Sequence, residues 1–423
     1  MPLEPKLILR GGRRLSGDVQ VGGGKNTSLP VLGAALLCDE PVTIENLPDV
    51  DDIHVMIELI KSLGVSVKRQ GSTAVIDAGT LSSVTPDPAL CEKIRASYYL
   101  LGALIGRTGE GVITHPGGCA IGARPIDQHL KGFRALGAQV IDREDRVIAQ
   151  CPNGPMGTEI YFDMVTVGAT INVMLAAARA KGNTLIFNAA KEPHVVDTAN
   201  FLNSMGARVR GAGTDVIRIR GVERLHGCTY TVIPDQIETG TLMIAAAATQ
   251  GDVAVHGCIP AHMESLTAKL LEIGVRVDEM DDVIRVRSFG GHRAANIKTQ
   301  AYPGFPTDLQ QPISALLTTA AGTSTITETI FPERFKNLDE MVRMGARVRV
   351  GDAMARIEGT PRLIGAPVTA SDLRAGASLV IAGLMAAGET EIAHPEYIDR
   401  GYEKLADKLR NLGADIRREL GGY

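Results

Sequence analysis

Six times along this chain an apolar residue, a glycine and a valine or alanine close a run with helical spacing. The copies are Leu63-Gly64-Val65, Leu136-Gly137-Ala138, Met205-Gly206-Ala207, Ile273-Gly274-Val275, Met344-Gly345-Ala346 and Leu412-Gly413-Ala414. The glycines recur 68 to 73 residues apart. A glycine just past the last helical residue accepts the left-handed conformation that ends a helix, so the motif predicts six helix ends. Each copy also holds an Ala-, Leu- or Met-rich run, near residues 29–37, 96–105, 171–178, 242–249, 313–321 and 379–387. A helix that is apolar all round must be buried. A short strand pattern follows each run, near 42–44, 112–114, 184–187, 253–255, 325–327 and 390–392. The repeat therefore predicts a unit of strand, buried helix, strand, outer helix and two more strands. Three units around a centre would put helices inside and sheets outside. Two such triples give an α/β protein of two domains, residues 22–232 and residues 1–21 with 233–423. Clefts between domains are common ligand sites, and the active site is expected there.

Composition narrows the function. Of 423 residues 44% are hydrophobic and 22% charged, too apolar for a disordered chain. The formal charge of −4 argues against a general nucleic-acid binder, which carries a basic surplus. Trp is absent, so the cores must be aliphatic. The longest uncharged stretch, residues 309–327, is broken by Gln, Pro, Gly and Thr, whereas a spanning helix needs about 20 mostly apolar residues. Leu7-Ile8-Leu9 is too short for a signal-peptide core. The closest two of six cysteines are 28 residues apart, so there is no Cys-x2-Cys zinc pair. Reduced thiols in the cytoplasm, with no metal and no cofactor, are the expectation.

The polar residues fall into two recurring slots. Just before the buried helices stand Lys25-Asn26, Arg95, Thr166-Val167-Gly168, Asp235 with Glu238, Thr307-Asp308 and Asp372 with Arg374. That place has free N–H donors and the positive dipole end, and suits anions. Thr166 and Asp235 read as ordinary N-caps. Lys25 and Arg95 oppose the dipole and call for an anion. The second slot, between short strand and outer helix, includes Pro116-Gly117-Gly118-Cys119 through Arg124-Pro125-Ile126-Asp127, then Lys191-Glu192-Pro193-His194, Pro332-Glu333-Arg334 and Tyr397-Ile398-Asp399-Arg400. Cys119 lies in a glycine-rich polar loop near Arg124, and nearby cations favour thiolate. The other five cysteines read as buried and inert. Arg208, Arg210, Arg218 and Arg220 alternate along strands as a solvated face. Gly22-Gly23-Gly24-Lys25 lacks the spacing of a phosphate loop. Together Lys25, Arg95, Arg124, Arg374, Arg400, a thiol and Asp308 suit a small, multiply charged anion and acid–base chemistry.

At these residues the chain resembles the enolpyruvyl transferases of the UDP-N-acetylglucosamine 1-carboxyvinyltransferase type. The resemblance rests on Gly24-Lys25-Asn26, Ile94-Arg95-Ala96-Ser97, Pro116 to Asp127, Pro234-Asp235, Phe305-Pro306-Thr307-Asp308, Asp372-Leu373-Arg374-Ala375 and Asp399-Arg400-Gly401-Tyr402, in one order along nearly the whole chain. It implies a two-domain inside-out α/β barrel of six repeated units. It also implies transfer of the enolpyruvyl group of phosphoenolpyruvate to the 3′-hydroxyl of UDP-N-acetylglucosamine, by addition and elimination, in the first committed step of peptidoglycan synthesis. Cys119 would be the general acid and the residue labelled by fosfomycin, and Asp308 would accept the hydroxyl proton. Lys25, Arg124 and Arg400 would hold phosphate and carboxylate, with Arg95 and Arg374 near. Asn26 would touch the sugar, and Arg124, Pro125, Ile126, Asp127, Gln128 and Ile330 would line the UDP-sugar site. Closing the Cys119 loop would exclude water. The implied partners are these small molecules, without nucleic acid or membrane, and the implied state is a monomer.

Two departures stand out. Met164 occupies a position where one branch carries Lys, and Gln236 one where Arg is usual, which puts nucleotide diphosphate contacts there in doubt. A 3-phosphoshikimate 1-carboxyvinyltransferase is the runner-up, against which Cys119 and Asp127 argue. An inactive UDP-sugar-binding paralogue is the alternative from another class.

Overall fold

The structure, a computed structural model, describes residues 5–116 and 124–420. They form two compact units, residues 5–22 with 234–420 and residues 23–116 with 124–233. The departures from the sequence reading concern where helices start and which strands share a sheet.

In the 23–233 unit the inner helices are Lys25–Ala34, Tyr98–Thr108 and Val167–Ala177. In the other they are Gln236–Ala248, Thr307–Leu317 and Leu373–Met385. Their side chains are buried on nearly every face, and each unit has its own aliphatic core. Close helix approach needs small residues at the crossing. A Cβ on Gly102 would lie 2.4 Å from the Asn172 carbonyl oxygen, and one on Gly106 would lie 3.0 Å from that of Leu175. Any larger residue there would push Tyr98–Thr108 off Val167–Ala177.

Six outer helices, Asp51–Ser62, Asp127–Ala135, Pro193–Ser204, Glu264–Ile273, Lys336–Arg343 and Leu405–Asn411, each bury one stripe, as Leu266, Leu270 and Ile273 do. The six motif glycines end these helices with φ between 84° and 102°, the conformation their role requires. Five inner helices start four to six residues before their apolar runs, because polar residues or glycine interrupt the apolar pattern of the first turns.

The sheets share one order. Asn296–Lys298, Thr323–Thr327, Met354–Glu358 and Arg347–Gly351 lie side by side, the first pair parallel and the rest antiparallel. Glu159–Tyr161, Asn183–Phe187, Val216–Arg220 and Arg208–Arg210 repeat it. Three sheets complete the pattern with strands distant in sequence. Thr229–Thr231 supplies the parallel edge beside Val42–Glu45. Ser16–Gln20 does the same beside Asp252–His256. Pro5–Arg10 sits between Glu389–Ala393 and Asp415–Leu420. The 23–233 unit is thus closed by a strand of its last copy on the sheet of its first, and the other unit by the two strands within residues 5–20, one on its first copy and one on its last. The sheet of Glu110–Thr114, Arg146–Gln150 and Gln139–Asp142 has three strands among the described residues. No described helix is long and apolar enough to cross a membrane.

Candidate active site

In the 23–233 unit Lys25 is the first residue of its helix, after Gly24, which brings no side-chain cap. It is buried, and its Nζ lies 3.1 Å from Asp52 Oδ2, itself buried near the start of Asp51–Ser62. The anion that this misplaced cation demands is thus supplied in part by the chain. Asn26 follows, half-buried. Arg95 opens a short 3-10 turn, Arg95–Ser97, and donates from Nη2 to the Arg124 carbonyl oxygen at 2.7 Å. Its guanidinium sits 5.6 Å from the Tyr98 ring centre. Burial pushes the Tyr98 hydroxyl up to about 12, against the pull of Arg95. That hydroxyl also meets His115 Nδ1 at 2.8 Å.

Arg124 is half-buried, Pro125 exposed and Ile126 half-buried, and Asp127 begins the next helix. Gln128 is buried; its Nε2 donates to Asp127 Oδ2 at 2.7 Å and Asp163 Oδ2 at 3.1 Å, and its Oε1 accepts the Asp163 N–H. Thr166, read as an N-cap, makes no side-chain cap bond to Val167–Ala177. A Cβ at Gly168 would lie 2.8 Å from His129 Nε2. Asn172 fixes that imidazole: its amide oxygen accepts the Gly102 N–H, so its Nδ2 donates to the Tyr98 carbonyl and to His129 Nδ1, at 2.7 and 2.9 Å. The His129 proton is therefore on Nε2, toward the start of that helix. Burial, and then Arg95, push His129 down to about 4.

In the other unit Asp308 is the second residue of Thr307–Leu317. Arg334 Nη1 donates to its Oδ1 at 2.8 Å and Arg374 Nη2 to its Oδ2 at 3.1 Å. Both arginines are buried, and burial opposes the Arg374 charge. The negative groups around Arg374, Asp308 and Asp235 among them, more than offset that. The Arg374 guanidinium lies 5.0 Å from the Tyr402 ring centre, and the Tyr402 hydroxyl meets Thr241 Oγ1 at 2.8 Å. Asp235 accepts the N–H groups of Ile237 and Glu238, and Asp372 those of Arg374 and Ala375. Ile330 is exposed, and Arg400 is half-buried after the short helix Glu396–Asp399.

Within their units, then, direct bonds join Arg95 to Arg124, Asp127 to Gln128, and Asp308 to Arg374. Cys119 lies outside the described residues. Among the described thiols Cys38, Cys91, Cys151 and Cys258 are buried, and Cys228, read as buried, is only half so. Burial raises Cys91 to about 11, which keeps it protonated and inert. Sequence reasoning assigned no role to Asp52, His129 or Arg334. Arg334 stands in the second polar slot, but its spacing there does not say that it turns onto Asp308.

The profile of EPSP synthase (3-phosphoshikimate 1-carboxyvinyltransferase) matches residues 9–409. A crystal structure of the enolpyruvyl transferase NikO from Streptomyces tendae covers all of this chain, with TM-score 0.88 and 27% identity. EPSP synthase from Acinetobacter baumannii, 18% identical with TM-score 0.73 over 98% of the chain, shares the fold. UDP-N-acetylglucosamine 1-carboxyvinyltransferase 3 of Caldanaerobacter subterraneus is 55% identical, over 98% of this chain and 99% of the relative. UDP-N-acetylglucosamine 1-carboxyvinyltransferase of Clostridium botulinum is 53% identical over the same shares. The chain belongs to the enolpyruvyl transferase family, in its UDP-N-acetylglucosamine 1-carboxyvinyltransferase branch. The inside-out α/β barrel of repeated units is the fold of that family.

Proposed function

We propose that this chain transfers the enolpyruvyl group of phosphoenolpyruvate to the 3′-hydroxyl of UDP-N-acetylglucosamine, releasing phosphate, as the first committed step of peptidoglycan synthesis. The observation that carries the reading is the Asp308 carboxylate, gripped at both oxygens by buried arginines at the start of an inner helix. The relatives of that name, matched along 98% of the chain, supply the substrates.

In the addition step the sugar oxygen bonds to C2 of phosphoenolpyruvate and its proton passes to Asp308, while Cys119 protonates C3. In the elimination step the methyl group returns a proton to the Cys119 thiolate as the C2–C3 double bond re-forms, the C2–O bond to phosphate breaks, and the departing phosphate takes the proton held by Asp308. Lys25, Arg124 and Arg400 hold the phosphate and carboxylate, with Arg95 and Arg374 near. Most of the rate gain comes from placing cations where charge develops. Asn26 touches the sugar, and residues 124–128 with Ile330 line the UDP-sugar site. We read the chain as a cytoplasmic monomer working without metal or cofactor.

Phosphate release is the test, measured with phosphoenolpyruvate and either UDP-N-acetylglucosamine or shikimate 3-phosphate. Release with the UDP-sugar is expected, and release only with shikimate 3-phosphate overturns the reading. Cys119→Ala abolishes or severely weakens turnover, whereas Cys91→Ala, which alters a buried protonated thiol, does not. Full activity in both would sink the role of Cys119.

A further inference from the structure

A buried carboxylate needs partners, and Glu328, at the end of strand Thr323–Thr327, is only 1% exposed. Four donors converge on it. Its Oε1 accepts the Thr299 hydroxyl at 2.7 Å and the N–H groups of Ile330 and Phe331 at 2.8 and 3.0 Å. Its Oε2 accepts the Thr307 hydroxyl at 2.9 Å. Among the described residues no basic side chain bonds to it; hydroxyl and backbone donors satisfy it instead.

What it holds gives it meaning. Thr307 directly precedes Asp308, and once its proton is committed to Glu328 its oxygen can only accept. It accepts from Arg334 Nη1 at 3.1 Å, the same nitrogen that grips Asp308 Oδ1. Phe331, whose N–H is fixed by Glu328, places its ring centre 5.7 Å from the Arg334 guanidinium. Glu328 therefore orients Arg334 through two routes, a hydroxyl and a ring. It also sets the backbone of Ile330, which the proposed function assigns to the UDP-sugar site.

We propose that Glu328 is a positioning residue for the transfer reaction, setting Arg334 and hence the Asp308 carboxylate through Thr307 and Phe331. The inference rests on the proposed function. A Gln at 328 is nearly isosteric. Its amide nitrogen, facing Thr307, would force that hydroxyl to accept where it now donates, and the grip on Arg334 would loosen. Misplacing a catalytic group by a fraction of an ångström is costly, so kcat falls about tenfold or more.

The experiment uses the full chain as wild type, E328Q, T307V and the double variant. It reads phosphate release for kcat and each KM, the pH profile of kcat, and thermal unfolding. E328Q and T307V are each expected to lower kcat and shift its profile while the melting temperature stays near that of wild type. Because both variants break the Thr307 hydroxyl link, the double variant should lose less than the sum of the two single losses. The readout that a merely structural role does not move is the pH profile of kcat at an unchanged melting temperature. Wild-type kcat and pH profile in E328Q, or fully additive losses, overturn the inference. If E328Q does not fold, T307V alone decides: unchanged kcat and profile overturn it. Wild type failing to release phosphate with the UDP-sugar is a different result, and removes the proposed function itself.

Discussion

The inner helices of the two units occupy equivalent places in their repeats, yet they start differently. In the 23–233 unit, Lys25–Ala34, Tyr98–Thr108 and Val167–Ala177 follow Gly24, Ser97 and Thr166, and none of the three has a side-chain cap. In the other unit Asp235 and Asp372 each take two backbone N–H groups of their own helix, and the third helix follows Pro306. A helix start already satisfied by its own carboxylate has little to offer an outside anion, whereas an uncapped start keeps its donors and dipole available. The division of labour follows. Under the proposed function, anion holding by backbone falls to the first unit, and the carboxylate chemistry of Asp308, with Asp235 and Asp372 capping the neighbouring helices, to the second.

The largest effect expected from that division is at Asp308. Asp308→Asn keeps the shape but removes the proton acceptor, so kcat should fall about 10²- to 10⁴-fold. If anion holding lies mainly elsewhere, the KM for phosphoenolpyruvate changes little. Steady-state phosphate release separates the two quantities. A raised KM with unchanged kcat would make Asp308 a binding residue and undo the contrast.

A smaller effect is expected beneath an uncapped start. His129 points its Nε2 proton toward Gly168, and protonating its other nitrogen would add a second positive charge near Arg95. Its folded value of about 4 lies below the ordinary 6.5. The unfolded chain therefore binds more protons between those values, and stability is lost as pH falls through that window. At about 1.4 kcal/mol per pH unit the loss reaches roughly 3 kcal/mol at most, and above pH 6.5 it vanishes. His129→Gln removes this term. Urea unfolding of both proteins at pH 7 and pH 4.5 should show a shallower loss in the variant, and equal losses would mean that His129 is already charged in the folded chain.

Much of this arrangement is legible in the sequence, for identifiable reasons. The six motif glycines announce outer-helix ends because only glycine adopts φ near 90° without strain, and all six do so. The inner helices are visible because burial on every side demands uniform apolarity. Their first turns are not, because Lys25, Gln236 and Thr307-Asp308 break that uniformity where the chemistry sits. The sequence reading places no strand at residues 5–10, 16–20 or 229–231, because their pairing partners, hundreds of residues away, leave no local trace. The same holds for the Asp52 partner of Lys25 and for Arg334, whose roles depend on three-dimensional proximity. The residue pattern marks Asp308 and Cys119 as candidates for acid–base chemistry, but their particular roles come only through family resemblance.

The smallest expected effect bears most directly on the contrast between helix starts. Asp235→Ala and Asp372→Ala each leave two N–H groups without their acceptor, and each should cost about 1 kcal/mol of stability. Thr166 has the residue type of a cap, yet its hydroxyl accepts no bond from Val167–Ala177. Thr166→Ala should therefore cost less than about 0.5 kcal/mol, as at sites away from specific interactions. Urea midpoints at constant slope measure all three. The ordering matters more than the values: a Thr166 variant as damaged as the Asp235 variant would mean that the hydroxyl caps its helix in solution. The donors assigned to an incoming anion would then already be spent, and both units would begin their helices by the same rule.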